Sequence, residues 1–219
     1  MEEISFTIDS TGKTGAQDSC CINSFTYDKQ GYRIKQVYID IKGLEKNGQL
    51  YTQRFSNGMV KEIKFTENAK VLSTLSGTIN NKGKYGNSQI HDSLGKLVSF
   101  FADVNVNEYG KIISMKSFKP DSTLQQTIVN KYDKQIWVGG FVKDSSGKEI
   151  FSTAVKLNEK KDPTEVRQTF RTNSKPITTI TRYAYSLNDE HGNWIQCSEF
   201  DEKGKESKRV KRRIIYREK

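Results

Sequence analysis

The chain has 219 residues, of which 34% are hydrophobic, and its 36 lysines and arginines exceed its 26 aspartates and glutamates, giving a net charge of +10. Three cysteines are too few for a disulfide scaffold, 16 glycines and three prolines exclude a collagen-like chain, and no apolar run approaches the ~20 residues of a membrane helix. The apolar fraction lies below the ~45–50% of a usual globular domain, so we expect a thin structure with much sheet surface facing water.

One turn motif recurs along the chain: Asp or Asn, two further residues, then Gly. The first side chain can accept a hydrogen bond from the turn backbone, and Gly can adopt a positive φ without steric cost, so the motif predicts tight turns between antiparallel strands. The seven copies are Asp28–Gly31, Asn80–Gly83, Asp92–Gly95, Asn107–Gly110, Asp144–Gly147, Asp189–Gly192 and Asp201–Gly204. Lys46-Asn47-Gly48 and Ser56-Asn57-Gly58 are interpreted as two further turns.

The segments beside these turns are rich in β-branched and aromatic residues that alternate with polar ones, as in Phe25-Thr26-Tyr27 and Val104-Asn105-Val106. The pattern predicts an all-β protein: an antiparallel meander of at least nine strands, forming an extended, twisted, partly open sheet with at most short helical turns. Asp162-Pro163 is typical of one such helix start. We expect a single domain over residues 1–219, with residues 1–20 a loosely ordered N-terminal segment.

The C-terminus concentrates positive charge, and it ends in a segment of alternating side chains. We expect residues 208–217 to form a strand paired with residues 194–200 around the turn Asp201–Gly204. Lys211 and Arg213 would share one face of this strand. That face is either simply solvated, which we favour, or a binding site for a polyanion.

No local pattern indicates catalysis, a cofactor or a metal. The two histidines, His91 and His191, stand beside turns, and no nucleophile signature or paired Cys/His spacing is present. Gly12-Lys13-Thr14-Gly15 lacks the first glycine of a phosphate-binding loop. We therefore expect a protein that is not an enzyme and binds no cofactor or metal. Cys20, Cys21 and Cys197 are expected to be buried thiols.

Aromatic side chains are the best candidates for ligand contact, because exposed rings on a sheet can stack on sugars or bases. Trp137, Trp194 and Tyr132 are the candidate binding residues, although most such rings simply pair across strands on a buried face.

Several segments resemble the degenerate YD repeats of RHS-like β-hairpin-repeat proteins. Tyr27-Asp28 with Gly31, and Phe200-Asp201 with Gly204, match the repeat, and the run His191-Gly192-Asn193-Trp194-Ile195 closed by Arg213-Ile214-Ile215-Tyr216 is the sharpest match. It is similar to the ending of many exported proteins of Gram-negative bacterial envelopes. The resemblance implies an antiparallel repeat sheet and a cell-envelope setting, with no known chemistry.

The leading hypothesis is a non-enzymatic cell-envelope or surface interaction module. One alternative is a carbohydrate- or polyanion-binding module, and another is a hydrolase or toxin-like domain with dispersed catalytic residues. The partner would be a protein or glycan at the cell surface rather than a nucleic acid. We expect the periplasm, the outer membrane or the cell exterior if a signal peptide has been removed, and the cytoplasm if Met1 is the native start.

Overall fold

The computed structural model describes residues 1–8, 14–40, 42–56, 58–80, 82–172 and 175–216, without the side chains of residues 7–21. These residues form sixteen strands and no helix, so no described helix is long and apolar enough to cross a membrane. The strands are β1 Glu2–Ile8, β2 Thr14–Tyr27, β3 Arg33–Ile39, β4 Glu45–Arg54, β5 Val60–Glu67, β6 Lys70–Ile79, β7 Tyr85–Asp92, β8 Leu97–Val106, β9 Ile112–Phe118, β10 Leu124–Asp133, β11 Ile136–Asp144, β12 Glu149–Leu157, β13 Pro163–Phe170, β14 Ile177–Asn188, β15 Trp194–Phe200 and β16 Glu206–Arg213.

The sheet closes on itself. Each strand is hydrogen-bonded to the next in chain order, and β1 pairs antiparallel with β16, so that Glu2 lies opposite Arg213 and Phe6 opposite Arg209. The all-β meander is confirmed, but the expected partly open sheet is wrong: the fold is a closed sixteen-stranded barrel. Closure gives the two edge strands hydrogen-bonding partners that an open sheet would leave exposed.

One type of hairpin turn recurs in the described part of the chain. In the copy at Asp144, the amide of Gly147 donates to the carbonyl of Asp144, the amide of Asp144 donates to the carbonyl of Lys148, and the Asp144 carboxylate accepts from the amides of Ser146 and Lys148. Gly147 has a φ of +87°, which an L side chain rarely adopts. The same backbone hydrogen bonds recur at eleven places, beginning at residues 28, 40, 55, 80, 92, 107, 119, 144, 158, 189 and 201.

Two copies of the turn have no glycine. Ser122 and Lys161 take the place of glycine, each with a φ of +68°, so these turns do not match the pattern of Asp or Asn, two residues and Gly. The copy at Asp40 carries Gly43 and was also missed.

Two other local predictions are wrong. Lys46-Asn47-Gly48 lies inside β4, where a Cβ on Gly48 would meet Thr66 Oγ1 at 2.7 Å and Val37 Cγ1 at 2.8 Å; this glycine serves close strand packing. Pro163 opens β13 instead of a helix, a strand position where its missing N–H is tolerated.

The two termini partly differ from expectation. β1 and the first half of β2 occupy the segment expected to be loosely ordered, while residues 9–13, which include Gly12 and Lys13, lie outside the described residues. The C-terminal strand pairs with β15 as predicted, Lys211 opposite Gln196, but it ends at Arg213.

The chain divides into two compact units. Unit 1 comprises Met1–Tyr51, Lys64–Val71 and Thr181–Lys219, and unit 2 comprises Thr52–Ile63 and Leu72–Ile180. In unit 1 the buried side chains are Val37, Thr66, Cys197 and Val210, and in unit 2 they are Ser117 and Thr153. No large side chain is fully buried in the described part of the chain, which agrees with its low apolar content.

Candidate functional site

Unit 2 contains a cavity of about 230 Å³ bordered by β5 to β9. Most of its lining is apolar, and the hydroxyl groups of Ser88 and Tyr85 are the polar groups of its side chains. The lining residues are Val60, Ile63, Leu75, Gly77, Tyr85, Gly86, Ser88, Phe101, Val104, Ile112 and Met115.

Strand register shows which side chains share the cavity face. Gly77 lies opposite Ser88, and Ser88 lies opposite Phe101. Successive side chains of a strand point to opposite faces, so Gln89, the next residue of β7, lies on the other face, and it is exposed. Adjacent residues of β7 therefore offer one position inside the cavity and one outside it.

The cavity face continues as an apolar surface through the following strands. Met115 lies opposite Ile128, Ile128 opposite Val142, and Val142 opposite Phe151, and none of these four residues is exposed. Ser117 and Thr153, the two buried side chains described in unit 2, alternate onto the same face. The apolar face is thus the covered one.

The opposite face of the same strands carries charge. Lys143 lies opposite Thr127, which lies opposite Lys116, and Arg167 is exposed opposite the exposed Ala154. Phe141, a large apolar residue on this face, lies between two cations: the Nζ atoms of Lys131 and Lys143 are 5.9 and 5.5 Å from its ring centroid. Phe100 and Phe118 also lie on this face and stack with ring centroids 5.1 Å apart, so the face combines cations with aromatic rings.

The single ionisable side chain in the cavity wall is already hydrogen-bonded. The Tyr85 hydroxyl donates to the carbonyl oxygen of Val60 at 3.0 Å. Burial raises the pKa of Tyr85, and its bond to Val60 and the charge of Arg54 act in the opposite direction. The described lining therefore offers a neutral, largely apolar environment.

Unit 1 contains a half-buried polar group on β14 to β16. Glu199 lies opposite Tyr183 on one side and Lys208 on the other. Burial raises the pKa of the Glu199 carboxyl, while Lys208 lowers it. Burial and the charge of Glu199 raise the pKa of Tyr183 to about 12. Desolvation is the largest cause of both shifts.

Trp137 and Tyr132 are brought together, as the sequence could not show. They face each other across the β10–β11 hairpin, whose turn is made by Lys134 with a φ of +56°. Trp137 is 43% exposed, and its Nε1 donates to Asn130 Oδ1 at 3.2 Å. Burial raises the pKa of Tyr132.

Trp194 is instead used for packing in unit 1. It is half-buried, with the Arg212 guanidinium carbon 3.3 Å and the Tyr185 ring 5.3 Å from its ring centroid. Such stacking occupies the ring face that a sugar would need.

Lys211 and Arg213 share a face of β16, as expected, and both are exposed. The Lys211 Nζ lies 5.4 Å from the Phe6 ring centroid, Arg213 lies opposite Glu2, and Arg209 on the same face donates two hydrogen bonds to Glu206, at 2.9 and 2.7 Å. Acidic neighbours therefore reduce the positive charge of this row.

The remaining candidate chemistry stays dispersed. Cys197 is a buried thiol, and the side chains of Cys20 and Cys21 lie outside the described residues. His91 lies opposite Thr74, and His191 packs edge-on against Tyr216 with ring centroids 4.3 Å apart. No cluster of three or more potential metal ligands occurs within the described ranges.

No local sequence pattern indicates the cavity, because its lining comes from five strands that become neighbours only in the fold. Part of it stands in the segment 40–80, for which no strand pairing was predicted. The apolar residues Phe101, Val104, Ile112 and Met115, which flank the Asn107–Gly110 turn, are the available signal.

No protein-family model and no curated protein matches the chain. Among solved structures, a porin-like protein from Bacteroides uniformis is 13% identical, with a TM-score of 0.56 over 96% of this chain and 94% of that one. A porin-like protein from Bacteroides vulgatus is 10% identical, with a TM-score of 0.39 over 95% and 96% of the two chains. The Tc holotoxin pore of Photorhabdus luminescens is 9% identical, with a TM-score of 0.34 over 93% of this chain and 15% of that one. The first of these likenesses supports the barrel fold.

Proposed function

We propose that the protein is a non-enzymatic interaction module of the cell envelope, whose barrel works in contact with water rather than embedded in lipid. The observation that carries this proposal is the polarity of unit 2, where the covered face is apolar and the opposite face carries Lys116, Lys131, Lys143 and Arg167. Membrane-spanning barrels have the reverse arrangement, an apolar outer band around a polar interior.

The free-energy cost of placing a cation against lipid supports the same conclusion. A lysine or arginine on the lipid face costs about 2–4 kcal/mol at the bilayer midplane. Arg167, in the middle of β13, would carry that cost, whereas Lys131 and Lys143 lie nearer the ends of their strands, where the cost falls to about 0–1 kcal/mol each.

The described connections are also short at both ends of the strands. Of the eleven similar turns, six lie at one end of the strands and five at the other, whereas outer-membrane barrels combine short turns on one side with longer loops on the other.

An envelope setting is supported by two likenesses: the resemblance to exported YD-repeat proteins and the barrel fold shared with a porin-like protein. Neither suggests a reaction, and the dispersed histidines and the desolvated Glu199 do not suggest one either.

Two measurements test the proposal. The protein purified without detergent should remain dispersed and should stay at the bottom of a flotation gradient with phosphatidylethanolamine–phosphatidylglycerol vesicles. Expressed from its complete open reading frame, it should appear in the periplasm or in an outer-membrane fraction from which high salt releases it. Flotation that resists high salt, together with vesicle conductance, would show a spanning pore, and a cytoplasmic location would refute the envelope assignment.

A second candidate function, carbohydrate binding, is favoured by the exposed Trp137 beside Tyr132. On a glycan array, Trp137→Ala should abolish any signal that the wild-type protein gives, whereas Tyr109→Ala, which removes another ring that is 43% exposed, should not. Equal signals from the two variants would exclude this site.

A further inference from the structure

We propose that the cavity of unit 2 is a binding site for the hydrocarbon part of a small amphipathic molecule, with a capacity of about eight carbon atoms. The proposal goes beyond the envelope role, which does not require any ligand in the barrel wall.

The size of the cavity is the first argument. Protein interiors contain few voids larger than a water molecule. An engineered apolar cavity of about 150 Å³ stays dry and binds benzene. The cavity here measures about 230 Å³, which is larger than that example.

The chemistry of the lining is the second argument. The cavity wall contains no carboxylate, amine or guanidinium among its side chains, and the Tyr85 hydroxyl already donates to the Val60 carbonyl. A water molecule needs two to four polar partners to be held, and Ser88 is the main one offered. A hydrocarbon group needs none.

The use of apolar residues is the third argument. Only 34% of this chain is hydrophobic, yet Val60, Ile63, Leu75, Phe101, Val104, Ile112 and Met115 surround this space. Gly77 leaves further room, because a Cβ there would meet its nearest neighbours, the Lys61 carbonyl oxygen and Ser88 Cβ, only at 3.8 and 3.9 Å. Ordinary side chains at this position would narrow the space.

The capacity follows from the volume. If a methylene group occupies roughly the ~30 Å³ that a water molecule takes in the liquid, the cavity holds about eight of them. Each buried methylene should strengthen binding about fourfold until the cavity is full, and further carbons should add little.

The test is calorimetric titration of the detergent-free protein with a series of linear alcohols from butan-1-ol to dodecan-1-ol. We expect one saturable site, with affinity rising about fourfold per carbon up to octan-1-ol and levelling off beyond it. Absence of saturable binding, or an affinity that continues to rise at the same rate to dodecan-1-ol, would overturn the proposal, because the latter indicates adsorption to an open surface.

A matched pair of variants locates the site. Ser88→Leu places an isobutyl group in the cavity and should weaken octan-1-ol binding at least tenfold, whereas Gln89→Leu adds a similar group on the exposed face and should leave it unchanged. Equal effects of the two variants would refute the location. If Ser88→Leu does not retain the wild-type circular dichroism spectrum, Gly77→Val, which fills the cavity from β6, replaces it and should also weaken octan-1-ol binding at least tenfold. Failure of alcohol binding would leave the flotation and fractionation results unaffected, so the two proposals fail separately.

Discussion

The closure of the barrel can be tested through one ion pair between its first and last strands, β1 and β16. Arg212 of β16 donates from Nε to the Glu3 carboxylate of β1 at 2.8 Å, although 209 positions separate them in the sequence. Both side chains are largely shielded, 23% and 21% exposed, and the Arg212 guanidinium also lies 3.3 Å from the Trp194 ring centroid.

The perturbation is Arg212→Met, which keeps an unbranched apolar chain over Trp194 but removes the charge. Loss of a charge-assisted hydrogen bond should cost about 1.5 kcal/mol, and loss of the cation–π contact about 0.5–1 kcal/mol. The sum of about 2 kcal/mol corresponds to a decrease in Tm of roughly 4–8 °C for a chain of this size.

The assay is urea unfolding of a double-mutant cycle with Glu3→Gln. We expect the two substitutions to be coupled by about 1 kcal/mol or more, because each removes the other's partner. Arg213→Met, at the exposed neighbouring position on the other face, should change the free energy of unfolding by less than about 0.5 kcal/mol. An open sheet would keep β1 and β16 apart, so additive effects of Glu3→Gln and Arg212→Met would refute the closed barrel.

Three further outcomes follow from single positions. Gly147→Val should lower the free energy of unfolding by more than about 1 kcal/mol, because it forces a β-branched residue to a φ of +87°. The control Gly77→Ala should not, because Gly77 has ordinary strand conformation and room for a Cβ. Equal melting temperatures of the two variants would refute the turn geometry. Asp144→Ala should lower the Tm. The hydrogen bond from Ser146 lowers the pKa of Asp144, so the stability that the ionised carboxylate contributes is lost as the pH falls through this lowered pKa. The Tm difference between wild type and variant should therefore shrink on acidification, and a difference independent of pH would contradict this assignment. Glu199→Gln should raise the Tm at neutral pH, because the folded protein favours the protonated Glu199 carboxyl and loses stability as the pH rises through the raised pKa of this group. In thermal melts, the higher Tm of the variant should disappear below about pH 4. A lower Tm of the variant at neutral pH would contradict this explanation.

Much of the candidate site could not be predicted from the chain alone. Trp137, Trp194 and Tyr132 were equivalent as aromatic residues in strand-like segments. Only packing distinguishes Trp137, which is exposed, from Trp194, which is covered by Arg212 and Tyr185. The cavity depends on five strands being adjacent, and no local pattern encodes that adjacency.

The amino-acid sequence by itself determined the all-β class, the antiparallel order of hairpins and most of the turns. These are local properties: an Asp such as Asp144 caps its own turn, and a Gly such as Gly147 takes the backbone conformation that the turn requires. Where the left-handed residue is not glycine, as at Ser122 and Lys161, the local signal was too weak to recognise the same turn.

The tertiary structure alone decided that the sheet closes and which face is covered. A meander of hairpins has the same local pattern whether its ends meet or not, since the pairing of Glu3 with Arg212 depends on the twist accumulated over all sixteen strands. Which side becomes the inside is settled by that same closure, because alternation marks two faces of each strand without stating which one will be enclosed.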